Sequence, residues 1–482
     1  MIYTRKSDRR EDFVLNISSG GLSVDIFDEI RDIVTLNRVS RDPAELYCYS
    51  YDASYISSTP DYVVMPHSTQ EVSAIVKLAS QYRIPIVPRG AGTGLSGGAV
   101  PISGGIVLDM SRMNKLQKID IPNLQVLVEP GLIHARLNSA LEPYGFFFPP
   151  DPGSSEMCTL GGFIANGGSG MRSVKYGTVT RYVLDLEIVL PDGEIIQTGS
   201  MTMKSASGYD LNALMVGSEG TLGIITAARL KIHPIPKARK VVLAHFNDLD
   251  AAGRAVPAIM GQGIVPSACE LMDSTTIQAL NIYDPDLNIP ECEALLLIEV
   301  DGTPCSIDSD AVDITNCCRA LGAFDINTAG SVLEQQEIWK ARRLVGAVMT
   351  RLYPDKTRVY IGEDIAVPLS AIPAMLKDIR SISSRYNITI MTYGHAGDGN
   401  LHTGMAIDIL DKYQYEQLKQ VADDIHRAAL RNGGTVSGEH GIGCVREIYM
   451  EQEHGRGLDV MKQIKKALDP HNIMNPQKVG LE

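Results

Sequence analysis

Two short stretches of this 482-residue chain hold its densest chemistry. One is Tyr393-Gly394-His395-Ala396-Gly397-Asp398-Gly399-Asn400-Leu401-His402; the other is Ser437-Gly438-Glu439-His440-Gly441-Ile442-Gly443. His395 and His402 flank a Gly-Asp-Gly turn and converge on one point if the chain folds back there. Glu439, from a second glycine-flanked loop, would complete a set of three N/O ligands. Three protein ligands with open positions define a catalytic rather than a structural divalent-metal site. Taken singly, either stretch also suits ordinary hydrogen-bonded histidines in turns.

Three glycine-rich segments come earlier. Pro88-Arg89-Gly90-Ala91-Gly92-Thr93-Gly94-Leu95-Ser96-Gly97-Gly98 follows a strand signal directly, and its glycines leave backbone N–H groups free to wrap an anion such as a pyrophosphate. It ends in no Gly-Lys-Ser/Thr and lacks the helix and distal acid of a dinucleotide fingerprint, so a flexible loop without ligand is its rival. The second runs from Pro149-Pro150-Asp151-Pro152-Gly153-Ser154-Ser155-Glu156 into Thr159-Leu160-Gly161-Gly162-Phe163-Ile164-Ala165-Asn166-Gly167-Gly168-Ser169-Gly170. The third is Gly217-Ser218-Glu219-Gly220-Thr221-Leu222-Gly223-Ile224-Ile225-Thr226.

The elements that must position these segments are partly legible. A strand over Asp61–Met65, a capping box at Ser68-x-x-Glu71, a helix burying Val72, Ile75, Val76 and Ala79, and a strand over Ile84–Val87 predict a parallel pair with a crossover. Pro191-Asp192-Gly193 between Leu184–Leu190 and Glu194–Thr198 predicts a hairpin. Prolines in His233-Pro234-Ile235-Pro236 mark a boundary. Beyond it, strand signals at Lys240–Phe246, Ala294–Val300, Arg358–Ile361 and Ile388–Tyr393 alternate with helices, and a helix over Leu458–Leu468 precedes the C-terminus. A helix is also expected around Val24–Leu36.

Composition narrows the function classes. The chain is 44% apolar and 21% charged, as soluble globular proteins are, and its net charge of −13 argues against a nucleic-acid partner. The eight cysteines form no C-x-x-C and no iron–sulfur spacing, which favours free thiols in a reducing cytosol. No apolar run approaches a membrane span, and no signal-type segment follows the mixed charges at the N-terminus. A cytoplasmic location is the expectation.

In their order and spacing the glycine segments, with the histidine and glutamate motifs after them, resemble the FAD-linked oxidases that share the vanillyl-alcohol-oxidase flavin fold. The resemblance runs from about residue 56 to the C-terminus and favours the glycolate and D-lactate dehydrogenase catalytic-subunit branch. It implies an α+β fold: an N-terminal arm and helix (1–55), a two-subdomain FAD-binding domain (56–235), an α+β substrate or cap domain with antiparallel sheet (236–440), and a C-terminal helical segment returning to the FAD (441–482). It also implies an FAD site made of Pro88, Arg89, Gly90, Ala91, Gly92, Thr93, Gly94, Ser96 and Gly97, then Asp151, Ser154, Thr159, Gly162, Ala165 and Asn166. Glu219, Gly220, Gly223 and Ile225 would add to it, and Asn400 and Asn475 would approach the flavin. Thr93 stands where relatives with covalent FAD often carry histidine, so noncovalent FAD is expected. The metal, zinc, iron(II) or manganese, would sit on His395, His402 and Glu439. His440 would be the catalytic base, its unperturbed pKa of about 6.5 suiting that role, and Arg342 of Trp339-Lys340-Ala341-Arg342-Arg343 would clamp a substrate carboxylate.

The expected activity is oxidation of a small D-2-hydroxy acid, D-lactate or glycolate, to the 2-oxo acid. Reduced FAD would pass electrons to a partner protein, an iron–sulfur subunit or an electron-transferring flavoprotein, because the chain carries no relay of its own. D-2-hydroxyglutarate oxidation is one rival; glycines at 362 and 404, where that branch has lysine and asparagine, disfavour it. A flavin-binding relay subunit without its own substrate is another.

Overall fold

The computed structural model describes residues 25–482 except 360, 361 and 409, together with the short strand Leu15–Asn16; of residues 15, 16, 347, 350 and 351 only the backbone is described. The remainder of the expected N-terminal arm, residues 1–14 and 17–24, lies outside the described residues. The helix expected near residue 30 spans Phe27–Val34.

The first sheet has the strand order Val39–Ser40, Tyr62–Val64, Ile106–Asp109, Ile86–Arg89, and the last three run parallel. The expected direct pairing of the second and fourth of these is corrected: Ile106–Asp109 inserts between them and pairs with both. Between them in sequence, helix Thr69–Tyr82 buries Val72, Ile75, Val76 and Ala79 completely, the face its periodicity assigns. Ser68 caps the first turn by accepting from Glu71 N. The Glu71 carboxylate, however, accepts from His67 N and pairs with Arg38, so the cap is one-sided rather than reciprocal. The chain end completes this sheet: Ile86 N donates to Ile473 O and Asn475 N to Ile86 O, beside the strand that enters the first glycine loop.

A second sheet is antiparallel, in the order Ile195–Gln197, Val183–Val189, Ile224–Lys231, Gln125–Val128, Leu116–Asp120. The Pro191-Asp192-Gly193 turn joins its first two strands, closed by Leu190 N donating to Glu194 O.

The third sheet is a larger antiparallel one. Its order is Ala323–Ala329, Ala238–Phe246, Ala294–Gly302, Ala268–Asp273, Ile390–Gly394, Asn400–Ile407 and Thr357–Val359, and Asp364–Ala366 also pairs with Asn400–Ile407. Its central strands are buried on both faces. Helices Leu249–Gly261, Pro304–Ala320, Ile372–Tyr386 and Lys412–Arg431 pack one face, and Ser274–Tyr283 with Val332–Leu352 the other. Residues with apolar neighbours on both sides read as continuous hydrophobic runs, as Ala294–Ile298 does. A buried carboxylate stitches this sheet to the glycine segments: Glu299 accepts from Arg172 Nη1 at 2.5 Å and Trp339 Nε1 at 2.8 Å. Among the described residues no helix is long and apolar enough to cross a membrane.

Candidate active site

The hairpin Ile390–Gly394/Asn400–Ile407 sets the two histidines. Tyr393 pairs with His402, so His395, just past the first strand, and His402, two residues into the second, emerge on the same side. Their rings stand at 87° with centroids 5.1 Å apart. Glu439 Oε1 lies 3.3 Å from His395 Nε2 and 3.4 Å from His402 Nε2. His440 stacks on His402 at 5.2 Å, with its Nε2 3.7 Å from the same oxygen.

The Glu439–His440 loop is anchored from two directions. On the side of the third sheet, Asp364 Oδ2 accepts from Ser437 Oγ, Glu439 N and His440 N, at 2.7–3.0 Å. On the side of the glycine segments, Asn166 Nδ2 donates to Glu439 O, Ser169 Oγ to Glu439 Oε2, and Ser96 Oγ to His440 O. Glu219 accepts from Ile442 N and Gly443 N. Gly441 is required here: its φ is +80°, and a Cβ would stand 2.5 Å from Asn166 Oδ1.

Electrostatics follow from crowding four carboxylates, Glu270, Glu363, Asp364 and Glu439, around three imidazoles. Burial disfavours the His440 imidazolium, yet the Asp364 and Glu363 carboxylates outweigh it and raise the pKa to about 9; Glu363 Oε1 is 2.9 Å from His440 Nδ1. Burial likewise opposes charge on His395, but Glu270 and Glu439 hold its pKa well above the usual range. Against its own desolvation, Glu439 is held well below the carboxylate range, chiefly by His395.

Such a cluster fits a divalent cation. Without one the carboxylates favour protonation of His395 and His440. The donor set His395 Nε2, His402 Nε2 and Glu439 Oε1 is compact, and separations of 3.3 and 3.4 Å are those of tetrahedral ligands with bonds of about 2.0–2.1 Å. A second grouping, Asp364, His402 and His440, is less suited, because Asp364 already accepts from three donors through Oδ2 and from Asn400 Nδ2 through Oδ1.

One cavity of about 1000 Å³ connects this cluster to all three glycine segments. Its wall includes Pro88, Arg89, Gly90, Ala91, Gly92, Thr93, Gly94, Ser96, Ser154, Thr159, Gly162, Ala165, Asn166, Glu219, Gly220, Gly223 and Ile225, and also Arg342, His395, His402, Glu439 and His440. Gly90 lets the first loop approach Thr159: a Cβ there would lie 2.1 Å from Thr159 Oγ1. The long cavity and its glycine-lined end fit an extended dinucleotide such as FAD. Gly97, Asp151, Asn400 and Asn475 do not line it. Asp151 faces Arg172 at 3.4 Å, Asn400 holds Asp364, and Asn475 ties Gly98 O to Glu219 O, bracing two of the glycine loops.

At the other end, Arg342 donates from Nε and Nη2 to Glu270 Oε2 at 2.7 and 2.6 Å and lies over the Tyr393 ring. Glycines 362 and 404 are absent from the cavity wall, and a Cβ on Gly362 would meet Ala422 Cα at 2.9 Å. Sequence reading did not single out Glu270 or Ser169. A signal existed for Glu270: a charge flanked by apolar residues in the middle of the strand Ala268–Asp273, every residue of which is buried.

Residues 60–199 match the family described as FAD binding domain, and residues 235–479 match FAD linked oxidases, C-terminal domain. The chain is 42% identical over 434 residues to the glycolate oxidase subunit GlcD of Bacillus subtilis (strain 168), covering 89% of this chain and 91% of that one. It is 35% identical over 421 residues to the mitochondrial D-lactate dehydrogenase (cytochrome) of Arabidopsis thaliana, covering 87% and 73%. Among solved structures, p-cresol methylhydroxylase with substrate bound superposes with a TM-score of 0.78 at 18% identity, covering 94% of this chain and 96% of that one, which shows the shared fold. The α+β architecture expected from the glycine motifs is thus the fold observed, and the chain belongs to the FAD-linked oxidases, a family of flavin-dependent oxidoreductases.

Proposed function

We propose that the enzyme oxidises a small D-2-hydroxy acid, D-lactate or glycolate, to the corresponding 2-oxo acid. The observation that carries this reading is the single cavity that joins the glycine loops to His395, His402, Glu439, His440 and Arg342. The names of the relatives, glycolate oxidase and D-lactate dehydrogenase, support the substrate class.

The reaction removes a hydroxyl proton and a Cα hydride from one carbon. FAD, bound noncovalently, supplies the two-electron acceptor for that hydride. A divalent metal on His395, His402 and Glu439, with zinc, iron(II) and manganese all compatible, would lower the pKa of a hydroxyl brought to it. His440 carries a raised pKa of about 9 rather than the expected 6.5, so it would act as base only once the charge of a metal on the neighbouring ligands drives its proton off. It would then take the hydroxyl proton on Nε2, with Glu363 Oε1 2.9 Å from Nδ1. Arg342 turns its remaining N–H groups to the substrate carboxylate. Asp364 keeps Glu439 and His440 in place through their backbone N–H groups.

Electrons then leave through a partner protein, an iron–sulfur subunit or an electron-transferring flavoprotein. The subunit designation of relatives and the lack of cluster-type cysteine spacing in this chain motivate it. All eight cysteines are free thiols, which suits a cytoplasmic setting. Turnover with an artificial dye acceptor tests the reading: D-lactate or glycolate should be oxidised, and failure of both to support turnover would refute it.

A further inference from the structure

We propose that Glu270 is a positioning residue that sets the metal ligand His395 and the carboxylate clamp Arg342 together, so that recognition of the acid and of the metal share one carboxylate. The inference rests on the site reading above and deepens it.

Glu270 is fully buried on the central strand Ala268–Asp273. The register there pairs Leu271 with Gly394, which brings Glu270 beside His395. Its two oxygens are divided between two partners. Oε1 is 2.8 Å from His395 Nδ1, and Oε2 receives Arg342 Nε and Nη2 at 2.7 and 2.6 Å.

Each contact has a consequence. With its Nδ1–H donated to Glu270, His395 presents the Nε2 lone pair toward Glu439 and His402, the tautomer a ligand needs. Glu270 occupies the Nε edge of Arg342, which leaves the opposite fork of N–H groups for a bidentate carboxylate. The substrate this geometry takes carries its hydroxyl on the carbon next to a carboxylate, so that one group reaches the fork while the other reaches the histidines.

Glu270→Gln is the informative variant because it conserves shape and inverts the hydrogen-bond logic. Its amide oxygen would face the Arg342 donors, so its NH₂ would face His395 Nδ1. That nitrogen must then accept, and the ring proton moves to Nε2, away from the ligand tautomer. Zn²⁺ affinity is measured by chelator competition on the FAD-loaded protein, with the flavin visible spectrum as the check on folding. We expect Glu270→Gln to bind Zn²⁺ about 10–100-fold more weakly than wild type. Arg342→Lys, which leaves the Glu270–His395 contact intact, should keep near-wild-type Zn²⁺ affinity and raise KM for the hydroxy acid. Equal Zn²⁺ affinity in Glu270→Gln and wild type would overturn the role of Glu270 while leaving the metal site standing. No Zn²⁺ binding by wild type would overturn the site reading and this inference with it. Should Glu270→Gln fail to retain flavin, Glu270→Asp decides: reduced affinity supports the role, and wild-type affinity refutes it.

Discussion

Ser169, in the second glycine segment, donates its hydroxyl to Glu439 Oε2 at 2.9 Å, across 270 residues of sequence. The bond leaves Glu439 Oε1 to face His395 and His402. The region that lines the flavin end of the cavity therefore also orients the carboxylate at its other end. A hydrogen bond to a charged acceptor contributes about 1.5–3 kcal/mol. Ser169→Ala should weaken divalent-metal affinity by about tenfold or more with FAD content unchanged, read by metal titration of the flavin-loaded protein. Unchanged affinity would show that Glu439 is held adequately by its backbone contacts.

His440→Asn removes the proposed base and keeps a polar group in place. It should lower kcat by about 10²–10⁴-fold with little effect on KM, as loss of a general base does. Steady-state kinetics decide, and a kcat within a few-fold of wild type would assign the base elsewhere.

The metal-free protein should show a distinctive pH dependence of stability. The folded-state pKa of His440, about 9, exceeds its unperturbed value of about 6.5, so its protonated form contributes stability that is fully present below about pH 6.5 and lost as pH rises through about 9. Thermal unfolding of chelated wild type should therefore fall in Tm across that window, and His440→Asn should flatten the fall. Identical slopes for the two proteins would contradict the assignment.

Much of this arrangement was legible in the sequence because it lies in local motifs. The helix Thr69–Tyr82 follows from its apolar spacing and its Ser68 cap, and the hairpin around Gly193 from its turn residues. His395, His402 and Glu439 stand out because glycines surround them. What did not show is what tertiary pairing creates. Strand Ile106–Asp109 inserts between two strands that precede it in sequence, and no local signal specifies that neighbour. Glu270 reaches His395 only through the sheet register, and Ser169 reaches Glu439 only because the chain end returns to the glycine segments. Asn400 and Asn475 donate to buried oxygens of Asp364, Gly98 and Glu219, contacts that no local sequence signal specifies.

Flavin retention tests the cofactor half. Because Thr93 rather than histidine lines the first loop, acid precipitation should release the FAD into the supernatant, and flavin remaining in the pellet would show a covalent bond. Gly90→Ala should purify with strongly reduced flavin absorbance, since the added methyl displaces the loop from Thr159.

The central claim is that one cavity couples flavin to a metal-dependent hydroxy-acid site, and anaerobic flavin reduction tests it most directly. Purified protein is mixed without oxygen with D-lactate, L-lactate, glycolate or D-2-hydroxyglutarate, and the visible flavin absorbance is followed before and after chelation. D-lactate or glycolate should bleach the flavin rapidly and L-lactate slowly or not at all, and the rapid phase should disappear on chelation and recover when the metal is restored. No bleaching by any of these acids, or bleaching that survives complete metal removal, would contradict it.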